Sequence, residues 1–192
     1  MSHRSAAERT SYLLEPKNWI ILTTVAIGWH ADGVRGLGWG ALAAFFAGVL
    51  PTVFINRGVR SGRYADRYVG AKGPRLAVLA FITASVAAGL VLLAALGAPG
   101  SLTGYFACTL ASVAVLAVIT SIWKISIHCA VAAGSVTILA LFFGPWVTAG
   151  YLLVGLTGWS RIVLNDHTVA QVVAGSVLGA LAALATYAVI PH

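Results

Sequence analysis

Seven apolar stretches, separated by short polar breaks, make up most of the chain. They cover residues 19–29, 37–55, 76–96, 102–123, 129–143, 146–158 and 169–190. A helix needs about 20 apolar residues to cross a bilayer, with a range of about 17 to 25, and the second, third, fourth and last stretches meet that length. The first stretch is short. The pattern therefore predicts six transmembrane helices, or seven if residues 19–29 also cross.

The two stretches between residues 129 and 158 are separated only by Gly144 and Pro145, which together signal a turn. We expect a hairpin of two short helices there, buried among the longer ones. The whole pattern predicts an all-α fold, an integral membrane helical bundle. It forms one domain over residues 18–192, preceded by a polar N-terminal segment at residues 1–17.

The amino-acid composition also supports a membrane protein. Hydrophobic residues make up 59% of the chain and charged residues 9%, whereas a soluble domain carries about 25% charged residues. This number of polar side chains is too small to cover the surface of a soluble domain. We therefore expect a multi-pass protein of the cell membrane.

The charge is unevenly distributed between the two sides of the predicted bundle. Tryptophan favours membrane–water interfaces, and if the first stretch crosses, one side holds Trp19, Trp123 and Trp159 while the other holds Trp29, Trp39 and Trp146. Every Lys and Arg except Arg35 maps to the side of Trp19. The positive-inside rule predicts that this side is cytoplasmic. The net charge of +7 fits anionic head groups or a phosphorylated substrate better than nucleic acid.

Three polar breaks fall on this charged side, at residues 56–75, 124–128 and 160–167. Arginine binds phosphate through a planar fork of N–H groups, and lysine acts as a compact point charge. Cations that converge from the three breaks would neutralise a phosphate and stabilise a transferring phosphoryl group. The candidate phosphate ligands are Arg67, Lys72, Arg75, Lys124 and Arg161. Arg57, Arg60 and Arg63 fit lipid head groups or topology signals better.

Two of these breaks also contain a histidine, His128 and His167, which an anion receptor alone would not need. One imidazole can attack phosphorus and form a phosphohistidine, while the other protonates the leaving oxygen and then activates water. The acidic residues are few and dispersed along the chain, so we expect no metal site and no cofactor. They are Glu8, Glu15, Asp32, Asp66 and Asp166.

The two histidine-containing breaks resemble signatures of a known family. Ser160-Arg161, with His167 six positions after the arginine, is similar to the third signature of the type 2 phosphatidic acid phosphatase (PAP2) superfamily. Ser126 and His128, which are separated by one residue, resemble a divergent form of its second signature. Residues 66–75 resemble the first signature more loosely, and the resemblance covers about residues 56–185.

The resemblance implies a role for each matching residue. His167 would be the nucleophile and His128 the general acid for the leaving group. Phosphate ligands would be Arg161, Ser126, Lys72, Arg75 and Arg67, to which charge and proximity add Lys124. Ser126 has a second reading as a helix cap, and His128 has one as a structural group at a helix end.

The sequence departs from the third signature at its closing aspartate, which orients the nucleophilic histidine. Gln171 occupies that position, one helical turn after His167. An amide can accept a hydrogen bond from imidazole, but it does not stabilise an imidazolium by charge. We expect Gln171 to orient His167, and Asp166 is a second candidate for that role.

The resemblance implies a metal-independent membrane lipid phosphatase with a PAP2-like core that hydrolyses a phosphate or diphosphate monoester through a phosphohistidine. The small polar loops leave little room for a large head group, which favours an isoprenyl phosphate or diphosphate over phosphatidic acid or phosphatidylglycerol phosphate. The expected partners are this substrate and membrane lipids. The alternatives are a non-hydrolytic binder or transporter of anionic lipids, a membrane prenyl-diphosphate enzyme, and a structural membrane subunit.

Overall fold

The computed structural model describes residues 3–65 and 72–190, and within them it contains helices and no strand. The N-terminal half contains α1 (His3–Leu13), α2 (Pro16–Ala44), α3 (Leu50–Arg60) and α4 (Lys72–Ala95). The C-terminal half contains α5 (Gly100–Ile122), α6 (Ile127–Phe143), α7 (Tyr151–Val163) and α8 (Val169–Val189). The all-helical prediction is confirmed for these residues.

Helix α2 reverses direction in its middle. Asp32 and Gly33 have non-helical backbone angles, and Gly33 has φ 55°, in the left-handed region that glycine adopts without strain. On either side of this turn the two arms touch through Gly28 and Gly36. A Cβ atom on Gly28 would lie only 2.3 Å from the carbonyl oxygen of Gly36. Residues 16–31 and the residues from 34 onward therefore form an antiparallel helical hairpin.

The second arm continues through a π-helical turn, Phe45–Val49, into α3. A Cβ atom on Gly48 would lie 3.6 Å from the carbonyl oxygen of Lys17. The start of α3 therefore lies beside the start of α2, at the same end of the bundle. This arrangement places Lys17 and the first turns of α3 next to each other.

The predicted hairpin around Gly144 is confirmed. Gly144 has φ 106° and is followed by a short 3-10 helix, Pro145–Gly150, that connects α6 to α7. The expectation that both helices are buried holds only for α6. Helix α7 packs against α1 and α6 through one face, and its opposite face leaves Leu152 76% exposed.

Helices α6 and α8 pack closely because their glycines face the neighbouring backbone. A Cβ atom on Gly179 would lie 1.9 Å from the carbonyl oxygen of Ala130, and one on Gly175 would lie 2.4 Å from that of Ser126. Small residues allow this approach in membrane helices. As a result the first turns of α6 and α8 lie side by side.

Four helical runs among the described residues are long and apolar enough to cross a membrane. They are His3–Arg60, Gly73–Ala95, Gly100–Ile122 and Val169–Val189, and α6 is apolar but shorter. Many large apolar side chains are exposed on the outside of the bundle, as expected for a surface in contact with lipid. These features are those of a membrane helical bundle, and the number of six or seven spans stays a prediction.

The side chain of Trp19 is buried inside the protein, and its position at the membrane interface stays a prediction. Its side chain is 7% exposed and packs against Ala132, Ala133 and Val136 of α6. Leu14, which follows α1, packs against the same cluster. The N-terminal segment thus covers this end of α2, and the indole lies inside the bundle.

Candidate functional site

A cavity at one end of the bundle collects side chains from the polar breaks. Its volume is about 150 Å³. Four of the side chains that line it are Arg75, His128, Arg161 and His167. The other part of its wall is mainly apolar and comes from α2, α3, α4 and the π-helical turn, with Ile20, Ala47, Pro51, Val78, Leu79 and Ile82. The cavity wall therefore combines arginine and histidine side chains with a mainly apolar lining.

The loop between α7 and α8 brings Arg161 and His167 together. Asn165 has φ 59°, a left-handed conformation that asparagine tolerates better than most residues. This turn lets the N–H groups of Asp166 and His167 both donate to the carbonyl oxygen of Arg161, at 3.0 and 3.2 Å. The six-residue spacing of the sequence motif thus corresponds to one closed turn at the end of α7.

Arg161 is held inside the protein by two side chains. It is 2% exposed, and its Nη2 atom lies 2.6 Å from Oδ2 of Asp166. Its Nη1 atom donates to Oγ of Ser11 at 2.6 Å. A buried guanidinium is stable only when such partners replace water. Asp166 is a candidate for orienting His167, but its carboxylate forms an ion pair with Arg161.

His167 is 7% exposed, and its Nδ1 atom lies 3.2 Å from Oε1 of Gln171. The same Oε1 atom accepts the backbone N–H of Thr168 at 3.2 Å. Because a backbone N–H only donates, this contact identifies the amide atom as oxygen. An oxygen acceptor requires a proton on Nδ1, so Nε2 carries the lone pair.

Gln171 also belongs to the start of α8. Thr168 is the N-cap, its Oγ1 atom accepts the N–H of Gln171 at 3.3 Å, and the two residues form a capping box. Such a box satisfies two N–H groups that the first turn leaves without helical partners. The helix terminus and the orientation of His167 therefore depend on the same amide.

The environment of His167 favours its neutral form. Burial is the largest cause, and the positive charge of Lys124 is the second. The hydrogen bond with Gln171 raises the pKa of His167, while the charges of Arg75 and Arg161 lower it further. The net effect is a pKa of about 4 for His167. Lys124 precedes α6 and is not part of the cavity wall. At neutral pH the Nε2 lone pair of His167 is thus available.

His128 reaches the cavity from the first turn of α6. Ser126 is the N-cap of this helix and is fully buried, with its Oγ atom accepting the N–H of Cys129 at 3.4 Å. Its own N–H donates to the carbonyl oxygen of Gln171 at 3.1 Å. The structure places Ser126 as a cap that ties α6 to α8, and the side chain is not part of the cavity wall.

Two candidates of the first break lie outside what the structure describes. Arg67 falls in residues 66–71, and the side chain of Lys72 is likewise outside the described part. Arg75, the third, is 8% exposed and lines the cavity. The first break therefore contributes one described cation to the site.

Residues of the N-terminal segment reach the site, which the sequence analysis missed. Ser11 contacts Arg161, and Glu15 and Lys17 form an ion pair and line the cavity. Nothing in the local pattern marks Ser11 as the partner of an arginine 150 positions later. The polarity of residues 1–17 was the only signal, and it is equally typical of a solvated tail.

Within the described residues, no group of three or more His, Cys, Asp or Glu side chains is placed to hold a metal ion. Comparisons with protein-family models, with curated protein sequences and with solved structures found no match. Any assignment of function therefore rests on the chemistry of the cavity.

Proposed function

We propose that this protein is a membrane lipid phosphatase that hydrolyses a phosphate or diphosphate monoester without a metal ion. The observation that carries the proposal is the cavity, whose wall combines Arg75, Arg161, His128 and His167 with mainly apolar side chains. The arginines suit a phosphate, and the apolar side chains suit the first carbons of a lipid chain. The charge bias of the sequence supports a cytoplasmic position of the cavity.

In the proposed reaction, the Nε2 lone pair of His167 attacks phosphorus while Arg75 and Arg161 bind the non-bridging oxygens. The bond between phosphorus and the lipid oxygen breaks, and His128, which takes up a proton from the monoanionic phosphate group when the substrate binds, donates this proton to that oxygen. His128 then removes a proton from water, whose oxygen attacks the phosphohistidine and releases phosphate from Nε2. The neutral state of His167 and the Nδ1 contact with Gln171 support its role as the nucleophile.

The small cavity supports a substrate with a small head group. A volume of about 150 Å³ accommodates a phosphate and a few carbon atoms, so the rest of the chain must leave the cavity into the membrane. We therefore favour an isoprenyl phosphate or diphosphate over a glycerolipid phosphate. Phosphatidic acid and phosphatidylglycerol phosphate are the competing substrates.

One observation favours a second function, a non-hydrolytic binder or transporter of anionic lipids. Gln171 contacts His167 through a neutral amide, which does not stabilise the imidazolium that forms when phosphorus bonds to Nε2. A membrane prenyl-diphosphate enzyme is less well supported, because the cavity wall contains a single carboxylate among the described residues, that of Glu15.

The test is phosphate release by purified protein from isoprenyl phosphate, isoprenyl diphosphate and phosphatidic acid, measured both in buffer that contains EDTA and in buffer that contains magnesium. The results expected here refer to the buffer with EDTA, and absence of release means absence in both buffers. We expect release that is lost in His167→Ala and His128→Ala. His30→Ala is the matched control, because His30 is exposed and packs against Phe142 and Phe143 away from the cavity. Substrate labelled with ³²P should also leave a phosphoprotein that is stable in alkali and labile in acid.

Absence of release from all three lipids, with binding retained in His167→Ala, would establish the binder instead. Activity that requires magnesium would favour the prenyl-diphosphate enzyme.

A further inference from the structure

The contact between Ser11 and Arg161 joins two distant parts of the chain at the cavity. Ser11 is fully buried, and its Oγ atom accepts a hydrogen bond of 2.6 Å from Nη1 of an arginine that is itself 2% exposed. The guanidinium has five N–H donors in one plane. Because Ser11 binds Nη1 and Asp166 binds Nη2, the two contacts together fix the orientation of that plane.

Helix α1 presents Ser11 through a face of small residues. Ala7 and Ser11 are the buried residues of this helix, and they lie four positions apart and therefore on one side. That side packs against α7, the helix that carries Arg161. The Arg4–Glu8 ion pair of α1 is exposed, and such surface pairs contribute little to stability. The buried small-residue face is therefore the part of α1 that connects it to the site.

We infer that Ser11 is a positioning residue for anion binding, and that the N-terminal helix α1 is a functional part of the site. The hydroxyl group holds Arg161 in the orientation in which this residue lines the cavity. Without it, the guanidinium loses the partner of Nη1, and the contact between Nη2 and Asp166 alone does not fix the plane as firmly as the two contacts together. The inference rests on the anion site of the proposed function and not on the hydrolytic step.

The test compares three variants of the purified full-length protein. Ser11→Ala removes the hydroxyl group with little change in volume, and Ser11→Thr retains a hydroxyl group. Ala7→Gly loosens the same face of α1 one turn away, without changing any group that contacts Arg161. For each variant we would measure the Kd of inorganic phosphate and of orthovanadate by titration, the thermal unfolding temperature, and KM and kcat for the lipid phosphate that is hydrolysed.

We expect Ser11→Ala to raise both Kd values and KM about fivefold to tenfold, because hydrogen bonds to charged groups are among the stronger ones. Ser11→Thr should stay within about twofold of the unaltered protein. Ala7→Gly should lower the unfolding temperature and leave both Kd values within about twofold. A merely structural role for Ser11 predicts instead that Ala7→Gly and Ser11→Ala weaken binding equally.

The inference is overturned if Ser11→Ala binds both anions as the unaltered protein does, or if Ala7→Gly has the same effect on binding. Phosphate binding that depends on Ser11, without hydrolysis of any lipid phosphate, would overturn the phosphatase proposal and support the role of Ser11. Hydrolysis that is insensitive to Ser11→Ala would support the phosphatase proposal and overturn the role of Ser11. An unaltered protein that does not bind either anion would overturn both.

Discussion

Replacing Gln171 by glutamate tests the assigned orientation of His167 directly. Glutamate has almost the same shape as glutamine, and its carboxylate can accept the same two hydrogen bonds, from Nδ1 of His167 and from the N–H of Thr168. The change adds one negative charge at the histidine. It should therefore stabilise the imidazolium and raise the pKa of His167 from its value of about 4.

The size of this effect follows from the distance. Nδ1 and Oε1 are 3.2 Å apart, so the centres of the two charges would be separated by about 4 Å, which corresponds to about 4 kcal/mol at an effective dielectric constant of about 20. At 1.36 kcal/mol per unit, this is an upper limit of about three pKa units, and pairs of this kind give shifts of about one to three. We expect a pKa between about 5 and 7 for His167 in Gln171→Glu.

The assay is the pH dependence of kcat/KM for phosphate release, together with NMR titration of ¹⁵N-labelled histidine assigned with His167→Asn. Only neutral His167 is nucleophilic, so activity falls as the pH decreases through its pKa. With a pKa of about 6, the neutral fraction at pH 5 is about one tenth, compared with about nine tenths for a pKa of about 4. Gln171→Glu should therefore lose about 90% of its plateau activity at pH 5.

Asn165→Asp is the control for net charge. Asn165 is exposed and lies in the same loop, and aspartate tolerates its left-handed backbone as asparagine does. This variant should shift the pKa of His167 by less than about one unit, since an exposed charge is screened by solvent. If the acid limb stays at about pH 4 in Gln171→Glu, or moves equally in both variants, the contact between Gln171 and His167 does not have the assigned role.

Two further predictions concern the cavity wall and the packing of α6. Glu15→Gln removes a carboxylate that lines the cavity and repels a bound anion. At an effective dielectric constant of about 20, this repulsion amounts to about 1 to 2 kcal/mol. The Kd of phosphate, measured by titration, should therefore fall about fivefold or more. An unchanged or higher Kd would show that the anion binds elsewhere. Gly179→Ala should lower the free energy of unfolding by about 1 to 3 kcal/mol, because its Cβ atom would lie 1.9 Å from Ala130 O. Denaturant titration measures this free energy. Gly155→Ala is the control, because nothing lies within 4 Å of the Cβ position of Gly155. Equal stability of the two variants would contradict the close packing of α6 and α8.

Local signals in the sequence were sufficient for several parts of this structure. Gly144 and Pro145 predicted a turn because glycine permits a positive φ and proline begins a new helix, and neither effect depends on distant residues. The spacing of Arg161 and His167 was readable for the same reason, as the closed turn between them is formed by residues 161–167 alone. His128 and Arg75 could be assigned to the same side of the predicted bundle because two long apolar stretches separate them, and two crossings return the chain to the side from which it started.

Contacts between distant residues could not be read in this way. The reversal at Asp32–Gly33 lies in the predicted break between residues 19–29 and 37–55, but the pattern left open whether the first stretch forms a separate arm, because that stretch is short for a span. The burial of Trp19 could not be read from the sequence because its packing against Ala133 depends on α6, more than a hundred positions later. The partner of Asp166 depended on the direction of a side chain, which the spacing along a chain does not determine.

The Ser11–Arg161 hydrogen bond also constrains how the chain is threaded through the bilayer. Two residues that touch lie on the same side of the membrane, so the chain between them must cross an even number of times. Helices α4 and α5 are each long and apolar enough to cross, and a hairpin such as α6–α7 changes the count by an even number. The arms of α2 and α3 would then also have to cross an even number of times. A crossing by residues 37–55 therefore requires a crossing by residues 19–29, which couples the two predicted spans.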